Sequence, residues 1–205
     1  MVRTKTSIRT AMKSLAQREP GFARVLDSIG IPEPRKSDPG ANTLLRTIVG
    51  QQVSVAAARS MWSKLEAAYG SPPDLAEVLK ATDEELRLAG ISRQKAGYAR
   101  SLAGLVLSGE LDLAKLPADD EEAIALLTKI KGIGRWSAEI YLLFAEGRPD
   151  IWPAGDLAVQ VGIGRILGLP DKPSEKQLRE LGEAWRPYRG AAAVLAWHSY
   201  NSAVL

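Results

Sequence analysis

Residues 126–144 read LLTKIKGIGRWSAEIYLLF. Leu126, Leu127 and Ile130 fall on one helical face, and Lys131-Gly132-Ile133-Gly134 then interrupts the periodicity. Arg135-Trp136-Ser137-Ala138 restarts it in a second helix that continues through Leu142, Leu143 and Phe144. Two glycines around one aliphatic residue allow a tight turn and a close approach of backbone to a ligand. The amides after Gly134 are first-turn donors of the new helix, and such donors favour a phosphate. Ile133 is expected to pack back between the helices and hold the turn. Lys129, Lys131 and Arg135 surround it with positive charge. The pattern is that of a helix-hairpin-helix, which grips a nucleic-acid backbone without reading bases.

Beyond the hairpin, Pro153-Ala154-Gly155-Asp156 reads as a turn and Leu157-Ala158-Val159 as the start of another apolar helix. Asp156 follows Gly134 by 22 residues and stands at the helix N-cap position. On local sequence alone an ordinary cap explains it. Upstream, an apolar helix over 41–49 carries Leu44, Leu45, Ile48 and Val49, and Gly50-Gln51-Gln52-Val53 interrupts it. Ser54 is an N-cap for a helix from Val55 to Tyr69. Gln51 and Gln52 therefore lie on a bend, and from the residues alone they are two solvated amides at a helix junction.

Taken together, Gly50-Gln51-Gln52-Val53-Ser54, Gly132-Ile133-Gly134-Arg135-Trp136-Ser137-Ala138 and Pro153-Ala154-Gly155-Asp156-Leu157 resemble the helix-hairpin-helix (HhH-GPD) superfamily of DNA base-excision glycosylases. The nearest branch is that of 3-methyladenine DNA glycosylase II. The likeness runs from about Asp38 to the C-terminus; Gly132-Ile133-Gly134 alone would be a weak signal. It implies an all-α fold of two helical lobes with an interlobe cleft for DNA and a flipped base. The whole of 1–205 would be one glycosylase domain. It would have a helical lead-in over 1–35, and a lobe over about 112–185 holding the hairpin at 126–144 and a catalytic loop at 150–157. Asp156 takes the place of the catalytic carboxylate. Gln52 matches the residue that wedges into the duplex where the damaged base leaves. Gly132, Ile133, Gly134, Arg135 and Lys131 match the backbone grip.

Trp136 and Trp197 match walls of the base pocket. Two aromatic faces suit a flipped base that carries positive charge, as alkylated purines do. Where that branch has a tyrosine four residues after its pocket Trp, this chain has Ile140, so the pocket is more apolar. The family often has an aromatic near the position of Ala41, which is small here. Bifunctional branches carry a nucleophilic lysine after the hairpin, in the pattern G-x-G-x-K; here Trp136 stands in its place. The expected enzyme is monofunctional. Cleavage builds positive charge on the deoxyribose, and a carboxylate beside it stabilises that charge. At about 4 Å and an effective dielectric of about 20 the attraction is on the order of 4 kcal/mol. This corresponds to roughly three powers of ten in rate. Two other readings stay open: a non-catalytic hairpin module that only binds DNA, and a glycosylase for deaminated or mismatched bases.

Composition limits the alternatives. The chain has 205 residues, 45% hydrophobic and 25% charged, as an ordinary globular protein does. Its net charge of +3 permits a nucleic-acid partner without demanding one. Absence of cysteine excludes thiolate catalysis and cysteine-ligated clusters, and a single histidine, His198, argues against a side-chain metal site or a Ser/His triad. No organic cofactor is implied, while the resemblance leaves room for a monovalent cation at the hairpin carbonyls. The polar, basic start and the absence of a long apolar run lead us to expect a cytoplasmic protein, nucleoid-associated in a bacterium, acting as a monomer on double-stranded damaged DNA and not on membranes.

The remaining chain reads as helices throughout. Asp74 and Thr82 are N-caps with Glu77 and Glu85 three residues on, which predicts two capping boxes. Gly90-Ile91-Ser92 is a turn before a helix from Arg93 to Leu107, where Lys95 is expected to be solvated or to cap. Asp119 to Ile130 is the first hairpin helix. Ser174, with Gln177 three residues on, starts a helix to Trp185, and Pro187 precedes the last one. Trp62, Trp152 and Trp185 are expected in the core.

Overall fold

A computed structural model describes residues 5–35 and 37–202, all of whose regular elements are helical. Backbone contacts divide the chain into two units. One takes residues up to Ser37 and from Leu142 onward; the other is Asp38–Tyr141. The division falls inside the 112–185 stretch expected to form one lobe. The hairpin and the Pro153–Asp156 turn therefore belong to different units.

In the Asp38–Tyr141 unit, α3 (Ala41–Gly50), α5 (Leu75–Lys80) and α6 (Asp83–Leu88) pack on α7 (Arg93–Leu107), α4 (Val55–Tyr69) packs on α3, and α8 (Asp120–Leu127) and α9 (Arg135–Tyr141) form the hairpin. The caps follow from local chemistry. Ser54 accepts from the Ala57 amide, Ser92 from Lys95 and Asp119 from Glu122. Thr82 and Glu85 close a capping box. The second expected box does not form: Asp74 caps through the Ala76 amide, and Glu77 turns to Lys80 at 3.0 Å. α8 also ends a turn earlier than expected. After Leu127 the chain tightens into i→i−3 bonds, Lys129 N–H to Leu126 O and Ile130 N–H to Leu127 O, which lead into the Gly132 turn.

The other unit contains α1 (Lys5–Arg18), α2 (Pro20–Ile29), α10 (Leu157–Leu167), α11 (Glu175–Gly182), a 3₁₀ turn at Glu183–Trp185 and α12 (Arg189–Asn201). Pro20 is the first residue of α2, where its missing N–H is harmless. The run Gly190–Ala196 in α12 is buried, and small side chains let α10 come close: a Cβ on Gly162 would lie 2.3 Å from Ala196 O. Trp185 stacks edge-on against Phe22 and Trp152, and the Trp152 indole N–H donates to Leu178 O at 2.9 Å. Trp62, Trp152 and Trp185 are all buried. Where the sequence predicts one continuous helix after Arg135, the turn after Tyr141 widens into a π-helical turn over Leu142–Glu146.

Candidate functional site

The hairpin turn is built on two different glycines. Gly132 has φ +82°, and a Cβ there would lie 2.1 Å from the Tyr98 ring. It is a glycine because the turn is left-handed and pressed on α7. Gly134 has no heavy atom within 4 Å of a built Cβ, so its missing side chain leaves open backbone. Ile133 is buried, as Leu127 and Ile130 are. The Lys131 amide donates to Ser101 Oγ at 3.1 Å. Lys129 and Lys131 are exposed beside the turn.

Arg135 is engaged within the unit. Its two Nη atoms pair with the Glu121 carboxylate at 2.8 and 2.5 Å, and Nε bonds the buried Glu139 at 2.9 Å. The hydrogen bonds it donates to Glu121, with Glu139 alongside, hold its guanidinium firmly in the charged form. Much of its charge is therefore offset, and Lys129 and Lys131 carry more of the positive field at the turn. Trp136 is 49% exposed on the first turn of α9, and Ile140, half-buried one turn on, shares its face.

Gln52 stands exposed on the bend between α3 and α4, in the left-handed region at φ 54°. Gln51 beside it is half-buried and donates from Nε2 to Gly132 O at 2.8 Å. Lys95, expected in solvent or at a cap, reaches the end of α3 and donates to Val49 O at 2.8 Å. A cation there suits the negative helix terminus. Its burial pulls the ammonium below the ordinary lysine pKa. Gln51, Gln52, Lys95 and Tyr98 help to line a polar hollow of about 290 Å³.

In the other unit, Asp156 is the N-cap of α10: Oδ1 accepts from the Val159 amide at 2.9 Å. The same oxygen accepts the Trp197 indole N–H at 3.0 Å. Trp197 lies against Phe144, ring centroids 5.6 Å apart at 36°. The turn before Asp156 is fastened from below. The buried Gln160 amide donates to Ala154 O at 3.0 Å and accepts from Lys172 at 2.7 Å. Sequence reasoning places Gln51 on the bend as a solvated amide without its bond to the hairpin, and misses Glu139, Gln160 and Lys172 altogether. Only Gln160 left a signal, as an amide inside the apolar run Leu157–Leu167. A carboxylate held by two N–H donors beside an aromatic face can stabilise a nearby cation and orient a water.

Comparison with known proteins places this geometry. A family model described as HhH-GPD superfamily base excision DNA repair protein matches residues 45–187. YfjP of Bacillus subtilis, named as a candidate DNA-3-methyladenine glycosylase, is 30% identical over 166 residues, or 77% of this chain and 58% of that protein. The chain thus spans little more than half of that relative. A crystal structure of DNA-3-methyladenine glycosidase from Bacillus halodurans matches with a TM-score of 0.85 and 31% identity, covering 94% of this chain and 89% of that one. Schizosaccharomyces pombe 3-methyladenine DNA glycosylase Mag1, solved in complex with abasic DNA, matches with a TM-score of 0.82 and 28% identity over 96% and 98% of the two chains.

Proposed function

Because the chain belongs to the HhH-GPD superfamily of base excision DNA repair proteins, we propose that it is a monofunctional DNA glycosylase. It removes alkylated purines such as 3-methyladenine from double-stranded DNA by hydrolysing the N-glycosidic bond. The observation that carries this reading is the Asp156 carboxylate at the start of α10, held by the Val159 amide and the Trp197 indole. A DNA-binding module would need this carboxylate only as a helix cap.

The roles follow the chemistry of each group. The open backbone at Gly134 and the first amides of α9 take a phosphate, with Lys129 and Lys131 supplying charge. Gln52 fills the gap left by the extruded base. Trp197 in one unit, and Trp136 and Ile140 in the other, are the aromatic and apolar faces that the family resemblance assigns to base recognition. Asp156 stabilises the oxocarbenium-like sugar and directs water to it. An alkylated purine is already a good leaving group, so a strong general acid is not needed. Trp136 stands where a lyase would carry its amine, and an indole forms no imine. The protein acts as a monomer without an organic cofactor. A monovalent cation at the hairpin would rest on its backbone carbonyls, of which that of Gly132 also accepts from Gln51.

The test is release of free base from methylated DNA, beside uracil- and hypoxanthine-containing duplexes. Release of 3-methyladenine well above the other two is the expected result. Release from the deaminated duplexes alone would move the substrate class. No release from any of them, with DNA still bound, would leave a binding module.

A further inference from the structure

The bend that carries Gln52 and the turn that carries Gly134 are fastened together, and one side chain joins them directly. α7 is the common support. Lys95 holds the end of α3 through Val49 O at 2.8 Å, Tyr98 lies under Gly132, and Ser101 accepts the Lys131 amide at 3.1 Å. Gln51 closes the remaining gap by its 2.8 Å bond to Gly132 O, across 81 residues of sequence. Its own backbone is the C-cap of α3, with N–H to Ile48 O at 3.3 Å. The next residue is Gln52 at φ 54°, where a non-glycine residue needs its neighbours to hold it.

We propose that Gln51 is a positioning residue that transmits seating of the hairpin on a DNA backbone to residue 52. The inference rests on the reading of the hairpin as the backbone grip. A turn displaced or stiffened by a bound phosphate moves the Gly132 carbonyl, and the Gln51 amide carries that change to the bend. Without the amide the two contacts with DNA become independent. Grip alone would then no longer place the wedge.

The test uses the full chain with Gln51→Met, which keeps an unbranched side chain of similar length and removes the donor. Gln51→Leu serves as a second variant. Backbone amide spectra are recorded with an undamaged duplex. In the wild type, amides of residues 132–136 and of 51–54 shift together; in either variant only the hairpin set shifts. Base release from methylated DNA slows by roughly fivefold, the scale of one hydrogen bond, while affinity for undamaged duplex changes less than about twofold. Adding Gln52→Ala to Gln51→Met costs less than it does in the wild type, which a purely structural role would not produce. Bend shifts that persist in both variants, or an undiminished Gln52→Ala effect, overturn the coupling and leave the grip intact. A wild-type hairpin whose amides do not respond to DNA sinks the grip itself, and the coupling with it.

Discussion

Asp156 Oδ1 accepts two N–H donors, and a single substitution separates this capping from the proposed catalytic charge. An asparagine keeps an N-cap acceptor for the Val159 amide and for the Trp197 indole, but loses the charge. Asp156→Asn should therefore fold normally, with Tm within a few degrees of wild type. Its single-turnover release of 3-methyladenine should fall by about three powers of ten, the scale of a carboxylate–cation attraction at contact. Release at near the wild-type rate would reduce Asp156 to a cap. The cap itself was legible because its donor lies three residues on. The Trp197 donor lies 41 residues away, and nothing in either local stretch announces it. Gln52 behaves in the same way: its place on a bend was readable, and its left-handed backbone was not. Gln52→Ala removes an exposed amide that supports no core, so stability should change by less than about 0.5 kcal/mol. A fluorescent base analogue beside the lesion should report slower flipping. An unchanged signal would take Gln52 out of the wedge role.

At the scale of the element, the hairpin separates folding from binding through its two glycines. Gly132→Ala places a Cβ into the Tyr98 ring at a positive φ, and should cost on the order of 2 kcal/mol, read as a lower Tm. Gly134→Val meets nothing in the protein, so the fold should persist. Its affinity for any duplex should drop about equally, whatever the sequence or lesion, because a side chain there keeps the backbone from a phosphate. Filter-binding or anisotropy titrations on damaged and undamaged duplexes would check this; a loss confined to damaged DNA would contradict the grip. Both glycines look alike in the sequence. The left-handed backbone of Gly132 and the position of Tyr98, on α7, tell them apart. The charge of the turn was misjudged for a similar reason. Arg135 counts as a free cation until Glu121 and the buried Glu139 are seen around its guanidinium. Ends of helices were well predicted where a cap sits within three residues. The early end of α8 and the π turn after Tyr141 answer to tertiary packing, which leaves no periodicity to read.

At the scale of the molecule, the passage between units lies at Tyr141–Leu142. The chain passes it inside a helical run, α9 leading straight into the π turn, with no proline, glycine or change of composition to mark it. The single lobe over 112–185 is what the family resemblance implies and does not come from composition. The all-α class, by contrast, was legible from the absence of strand alternation. The chemistry of the whole chain turns on which amines exist and what they do. The hairpin reads Gly132-Ile133-Gly134-Arg135-Trp136, with no lysine at its end. Arg135 stays protonated at any working pH and is bound to two carboxylates, so it cannot attack a sugar. Lys95 has a lowered pKa, which by itself would favour a nucleophile, but its ammonium donates to Val49 O at the end of α3. Lys129 and Lys131 stay exposed beside the turn, so the proposed route, water assisted by Asp156, has to be tested against them. The product should be an intact strand with an abasic site, cut only after alkali. Borohydride trapping on lesion-containing DNA should give no covalent adduct, and gels run before and after alkali should differ. A trapped adduct would call for mapping to Lys95, Lys129 or Lys131, and a strand break without alkali would replace hydrolysis by an imine mechanism.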